Sequence, residues 1–412
     1  MRIICNLITM SVVYSIVSRG YPPRHLQNRG FQVKKLIAAL LSAPVLMAAA
    51  ATSAYATTYP VTVTDTAGRS VTIPAEPQRV VIQDGRDILT MALLDRDDPF
   101  KRVVAWNNLI ARGDPDFWKI LTTKWPDATS ATNMNFSDQG EVNLEQVIAK
   151  QPQLIIAQRR ALGAFQQGQV LQRMAQLNIP VVFVDSEQDP TGDTAKSVEL
   201  LGTILNRENE AKEYADFYTS HLQHVQQVIA GIKAPRPRVF VEAKAGFTGG
   251  NDCCFTHTTI GWGQLLKAVD AHNVGADLLH VPSGDVTLES LIASKPDYYI
   301  MTGLSLSANN TSAIPFGYGA STPHIDAAFK KLEARPGFAQ VKAAQDNQVY
   351  GIFHSFYNHT YNIVAIEYLA KILYPTQFAS LNPKADWDTI ISRFTKIPTA
   401  PAIFEAKAPA HG

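Results

Sequence analysis

The chain has 412 residues, among them ten histidines and three cysteines. Their spacing limits the metal and redox chemistry open to it. No two histidines stand in the H-x-x-x-H or H-E-x-x-H pattern that puts two imidazoles on one helix face. His221 and His224 lie one turn apart in a helical stretch and are expected to decorate its exposed face. His354 ends an apolar β run, where it could ligate a metal, alone or with His257. Cys253 and Cys254 are adjacent. In an oxidising compartment they could close a vicinal disulfide; two buried thiols or soft metal ligands are the alternatives. With no other cysteine nearby to build a thiolate site, a structural role is favoured. Gly246–Gly250 (GFTGG) follows a β run but lacks the spacing and helix start of a phosphate cradle. No G-x-G-x-x-G, P-loop, G-x-S-x-G or Glu-x-x-His signature occurs. A catalytic role is therefore not expected.

These residues must be positioned by a chain whose first 56 residues differ from the rest. That segment has no acid and six bases: Arg2, Arg19, Arg24, Arg29, Lys34 and Lys35. Leu36–Ala50 is almost wholly apolar, and Ala54-Tyr55-Ala56 follows as a small-x-small site. A basic n-region, a short apolar run and A-x-A form the pattern of a secretory signal, and the run is short for a membrane span. Residues 1–56 are read as a signal peptide cleaved after Ala56, with a true start possible at position 33, where Val33 precedes Lys34-Lys35. Cys5 has no lipidation context near the cleavage site, so a soluble periplasmic protein is expected. Cleavage leaves 356 residues and takes the formal charge from +1 to −5. That length suits two domains, and an acidic chain without basic clusters is a poor nucleic-acid binder.

A 14-residue motif occurs twice, NLEQVIAKQPQLII at Asn143–Ile156 and TLESLIASKPDYYI at Thr287–Ile300, with six identities. Each copy reads as an amphipathic helix stopped by proline and followed by an apolar strand. The 144-residue offset is domain-sized, so two related lobes are expected. Around the first copy, a hairpin (Tyr59–Pro74) leads into strands at Arg79–Gln83, Arg102–Trp106, Leu154–Gln158 and Val181–Asp185, with helices at Asp87–Leu94 and Ala164–Leu177. Around the second, strands are expected at Arg238–Ala243, Tyr298–Met301 and Val349–Phe353, and helices at Gly261–Ala268 and Asn358–Leu373. This alternation predicts an α/β fold of two Rossmann-like lobes with mostly parallel sheets. A helical stretch from about Thr191 to Ile232 stands between the copies and reads as a single long interlobe helix. The expected division is residues 57–190 for the N-terminal lobe, 191–233 for the connection, and 234–412 for the C-terminal lobe. From Pro375 the chain reads as a capping tail with an unordered end.

Over essentially this whole mature length the chain resembles the solute-binding proteins of ABC importers for iron–siderophore complexes, haem and vitamin B12, the helical-backbone class. The resemblance rests on VTVTDTAGRSVTIPAEPQRVV, NLEQVIAKQPQLIIA, the interlobe helix, TLESLIASKPDYYIMTG and VYGIFHSFYNHTYNIVAIEYLAKILYP, in that order. It implies a ligand cleft between the lobes, at the carboxyl ends of the strands. The loops there contain Gln83-Asp84-Gly85-Arg86, Trp106-Asn107-Asn108 and Arg159-Arg160 in lobe one. In lobe two they contain Lys244, Phe247, His257, Trp262, Thr302–Ser307, His354, Tyr357 and Asn358. Arg86, Arg159 and Arg160 would clamp an anionic chelate, and Trp106, Trp262 and Tyr357 would wall it. His257 and His354 would be the candidate metal ligands.

The resemblance also implies that Glu145 and Glu289, at matching repeat positions, dock into the permease dimer of an inner-membrane ABC transporter. A first-turn carboxylate complementing the helix dipole is the compatible alternative. The expected cargo is a ferric siderophore, so iron enters as part of a bound chelate and there is no resident cofactor. A nickel or zinc ion or metallophore ranks next, then haem, with Tyr318 or Tyr357 as axial ligand. The protein is expected to act as a monomer.

Overall fold

The structure is a computed structural model that describes residues 56–134, 143–247, 253–305 and 313–410. The expected export signal lies outside the described residues except for Ala56, as do Val33, Cys5 and residues 248–250 of the GFTGG run. Among the described residues no helix is long and apolar enough to cross a membrane.

A hairpin of β1 (Val61–Thr64) and β2 (Ser70–Ile73) opens the N-terminal lobe. Then come β3 (Val80–Ile82), α1 (Ile88–Leu94), β4 (Val103–Trp106), α2 (Leu109–Gly113), α3 (Pro115–Lys124) and β5 (Thr132–Asn133). The first repeat copy folds as α4 (Leu144–Ala149) and β6 (Leu154–Gln158), followed by α5 (Leu162–Gln167), α6 (Val170–Gln176) and β7 (Val181–Val184). The one helix expected over Ala164–Leu177 is broken at Gln169, which takes a left-handed conformation. The sheet has order β5-β4-β3-β6-β7 and is parallel throughout. All five residues of β6 are buried, the pattern of a central parallel strand covered on both faces.

The connection is not one helix but two, α7 (Pro190–Leu205) and α8 (Glu208–Ala230), and this corrects the sequence-based expectation. Asp189 caps α7 at the N-terminus, with Pro190 in the first turn, and Asn206 ends it in the left-handed conformation. The 23 residues of α8 span roughly 35 Å. Its buried stripe (Ala211, Tyr214, Tyr218, Leu222, Val225, Ile229) follows helical spacing. From α8, the Tyr214 hydroxyl donates to the Thr360 carbonyl at 2.8 Å and that of Tyr218 to Asn362 Oδ1 at 2.8 Å.

The C-terminal lobe contains β8 (Arg238–Glu242), β9 (Phe255–His257), α9 (Trp262–Ala268), β10 (His272–Asn273), α10 (Val274–Leu278) and β11 (Ser283–Asp285). The second repeat copy folds as α11 (Leu288–Ser294) and β12 (Tyr298–Gly303). Next are β13 (Gly317–Tyr318), α12 (Thr322–Glu333), α13 (Lys342–Gln345), β14 (Val349–Phe353) and α14 (Ile363–Leu373). The tail forms α15 (Pro383–Phe394), β15 (Ala402–Ile403) and β16 (Glu405–Lys407). It does more than cap the lobe, because β16 joins the sheet as its antiparallel edge on β14.

The second sheet has order β10-β8-β12-β14-β16. Aligning β3 with β8 and β6 with β12 superposes β4-β3-β6-β7 on β10-β8-β12-β14. The repeat thus marks equivalent strands of two sheets. In each, the chain leaves the first strand on one side and returns on the other, which puts a topological switch point between β3 and β6 and another between β8 and β12.

Candidate ligand-binding cleft

The loop at the first switch point is held tightly. Gly85 donates its N–H to the Asn107 carbonyl at 2.9 Å, and a Cβ on Gly85 would lie 2.2 Å from that oxygen, so only glycine allows the approach. Arg86, next in the chain, donates from Nε to Asp84 Oδ1 at 2.8 Å. Asp84 Oδ2 receives Arg86 Nη2 and also Arg160 Nη2. Arg160 Nη1 continues to Glu187 Oε2 at 3.0 Å. Burial alone would push the Asp84 carboxyl up, but Arg86 and Arg160 outweigh it and hold it well below the usual carboxylate range. Asp87, three residues on, is buried as well. Burial and the Asp84 charge push its pKa up to about 7, with Gln158 Nε2 donating to it at 2.6 Å.

At the second switch point Lys244 follows β8 with a left-handed backbone, its N–H donating to Thr302 Oγ1 at 2.8 Å. Thr302 Oγ1 is also 2.8 Å from His354 Nδ1. His354 is buried, and its Nε2 has no partner among the described residues. Burial first, then Lys244 and His257, hold its pKa well below normal. His257 ends β9 in a buried position, its pKa lowered to about 4 by burial and Lys244. Tyr357 packs between the two imidazoles, 4.9 Å from each ring. Its hydroxyl pKa is pushed up to about 12 by burial and Glu187, against the pull of Arg86. Both imidazoles are therefore neutral near pH 7, the form that can ligate a metal or accept a hydrogen bond.

The lobes meet at Gly261, whose N–H donates to the Glu187 carbonyl at 3.1 Å. Its φ is +49°, and a Cβ there would lie 2.5 Å from His257 Nδ1. Also between the lobes, Phe117 stacks on Tyr318 at 5.1 Å, and a cavity of about 40 Å³ lies between them, Arg86 and His359. Within the C-terminal lobe a cavity of about 270 Å³ lies between Lys244, Phe247, Cys253, Phe255 and Asp285. Phe247 and Phe255 are 39% and 38% exposed, unusual for large apolar side chains. A larger cavity of about 500 Å³ runs beneath the tail between Tyr350, Tyr368, Lys371 and Glu405. It holds none of the switch-point residues, so it is not the candidate site.

Of the residues picked out from sequence, the structure brings together Arg86, Arg160, His257, His354 and Tyr357. Arg159 is not with them. Its guanidinium meets Asp185 and Asp193 at 2.6 Å each and the Thr66 carbonyl at 3.3 Å, which ties the hairpin to β7 and α7. Trp106 is buried against Phe100 and Trp118 in the N-terminal core and lines no cleft. Trp262 is fully buried at the start of α9, behind Tyr357 at 6.3 Å. Both indoles are buried in packing contacts. The sulfurs of Cys253 and Cys254 lie within bonding distance of each other, beside Tyr299 and Glu242. Glu145 and Glu289 are exposed in the first turns of α4 and α11. Asp84, Glu187 and Phe255 were not singled out from sequence, although Asp84 sits in the loop that was.

Two α/β lobes with a cleft at paired switch points define a bilobal binding protein. Residues 103–354 match the periplasmic binding protein family, and the chain belongs to it. It is 23% identical over 329 residues to the uncharacterized ABC transporter substrate-binding lipoprotein YvrC of Bacillus subtilis, covering 78% of this chain and 87% of that one. It is 24% identical over 259 residues to the cobalamin-binding protein of Halobacterium salinarum, covering 63% of this chain and 62% of that protein. In fold it is similar to the TroA-like periplasmic binding protein FepB of Veillonella parvula. The TM-score is 0.77 at 23% identity, over 85% of this chain and all of the other. The family's role is substrate binding for ABC transporters.

Proposed function

We propose that this protein captures a metal chelate bearing anionic groups in the interlobe cleft and hands it to an ABC permease. One observation carries the reading: Arg86 and Lys244 bring positive charge from opposite lobes to the place where neutral His257 and His354 sit beside Tyr357. The ammonium of Lys244 has no carboxylate in contact among the described residues and stands over the Phe247 ring at 5.6 Å. An anionic oxygen at Lys244 and a flat ligand body on Phe247 and Phe255 would use both features.

Ferric siderophores suit this charge pattern. A corrinoid is the second reading, favoured by the likeness to a cobalamin-binding protein. A His354 Nε2 lone pair at the cleft would serve either chelate where it leaves a metal position open. Glu145 and Glu289, matched by the repeat, are the permease-facing pair in this reading. Export through a cleaved signal peptide would place the protein where such cargo arrives.

Titration calorimetry with a ferric catecholate, ferric citrate, cyanocobalamin and haemin tests the proposal. Saturable 1:1 binding of one metal chelate, far tighter than its metal-free form, is expected. Equal affinity for the metal-free form, or no binding across the panel, would contradict it.

A further inference from the structure

A second cluster of metal-ligating side chains lies outside the cleft, between α8 of the connection and α14 and α15 of the C-terminal lobe. His221 was expected on the exposed face of its helix, but it is half-buried, with Nδ1 2.6 Å from Glu367 Oε1. Glu367 lies on α14 and is fully buried. Asp386 lies on α15 and completes the group: one ligand atom from each of the three residues falls within 4.8 Å of the others. The second oxygen of Glu367, Oε2, is buried with no donor on it among the described residues, and burial, with Asp386 nearby and against the His221 hydrogen bond, pushes the carboxyl up to about 7.

We infer that His221, Glu367 and Asp386 form a binding site for a divalent cation of the zinc type, which staples α8 to α14 and α15. The donor set is one imidazole and two carboxylates, a set that zinc accepts at about 2.0–2.2 Å per ligand, with water completing a tetrahedron. Two neighbouring carboxylates, one fully buried, repel each other and lose hydration. A dication between them offsets both costs and gives the orphaned Oε2 a partner. The ligands come from three helices, so the site can assemble only in the folded protein, and binding should raise stability. Around a tetrahedral ion ligand atoms stand about 3.3 Å apart, so His221 and Glu367 would separate by less than an ångström on loading. His221 is 26% exposed in its side chain, which leaves a path for the ion. The Phe217 ring, 4.0 Å from the imidazole, supports the ring from behind.

The experiment uses the full mature chain stripped with a chelator at pH 7.5. Zinc chloride is titrated by calorimetry, and cobalt chloride is followed by its visible absorption. The variants are His221→Gln and Asp386→Asn, both at partly exposed positions, and His354→Gln is the cleft control. One zinc per chain is expected in wild type and H354Q, with a rise in melting temperature and tetrahedral cobalt bands. Affinity should fall by about 100-fold or more in H221Q and in D386N, beyond the loss seen when only an outer-shell partner is removed. No saturable zinc binding would overturn the inference. So would binding that survives both ligand variants, and loss of binding in H354Q alone would move the ion to the cleft.

Discussion

The Arg86 guanidinium of the N-terminal lobe acts electrostatically on Lys244 of the C-terminal lobe. Local desolvation and then the Arg86 guanidinium lower the Lys244 pKa, although the lysine is exposed. Both follow the first strand of their sheets, β3 and β8, so the duplicated topology puts a cation after each. Asp84 already pairs with Arg86, whereas Lys244 has no carboxylate in contact among the described residues, so Lys244 is the cation left for an anion.

Reversing that charge should therefore be costly for an anionic ligand. Lys244→Glu is expected to weaken a ferric siderophore by about 10- to 100-fold, the range of one lost charge-assisted bond, with little change in melting temperature. Fluorescence titration at two salt concentrations reads this. A near-neutral corrinoid should lose much less, so the ratio of the two losses distinguishes the cargo classes.

Arg159 and Asp84 should separate structure from binding. Arg159→Ala removes contacts to Asp185, Asp193 and Thr66 and should cost about 1–3 kcal/mol of stability with chelate affinity unchanged. Asp84→Asn leaves Arg86 and Arg160 facing each other and should cost about 3 kcal/mol or more. An anionic ligand should restore part of that loss in D84N only. Urea unfolding with and without ligand measures both effects.

His359 predicts an acid limb. It is buried, and burial and Arg86 push its pKa down to about 3. The unfolded chain takes up this proton below about pH 6.5 while the folded chain stays neutral. Its contribution is thus complete above pH 6.5 and fades as pH falls toward 3, by about 1.4 kcal/mol per pH unit. Asp87 and Asp114, each with a pKa raised to about 7, run the other way and lose stability as pH rises from about 4 to 7. The readout is therefore a difference: His359→Gln should flatten the stability profile by about one proton between pH 6 and 4. Parallel profiles would show that His359 does not titrate differently in the two states.

Glu145 and Glu289 should matter only to delivery. Each is exposed in a first turn whose cap is supplied by a neighbour, Asn143 for α4 and Thr287 for α11. Replacing both by alanine should leave chelate affinity and stability nearly unchanged and abolish uptake in a transport assay. Unchanged uptake would leave them as helix-dipole partners alone.

Legibility in the sequence followed physical rules. The repeat was readable because a helix, a proline stop and an apolar strand form a strong local pattern, and its two copies became equivalent strands. Trp106 and Trp262 were hard to place from sequence because indole suits a ligand wall and a core equally well, and their burial against Phe100, Trp118 and Tyr357 is visible only in the fold. The break at Asn206 had a local signal, an asparagine that tolerates the left-handed backbone followed by Glu208 and Glu210 at a helix start. The bridging of Asp84 to two arginines had none, since Arg160 is 76 residues away. Glu367 was hidden for the same reason, its partner His221 being 146 residues away.

The most direct test of chelate capture is native mass spectrometry of the mature chain and the Arg86→Ala/Lys244→Glu variant, each recovered from cells grown with limiting iron, with a denatured control. The account predicts a 1:1 adduct of several hundred daltons that carries the isotope pattern of a metal, present in the wild type and lost in the double variant. A metal-free adduct, a bare metal ion, or an adduct that persists in the double variant would contradict it.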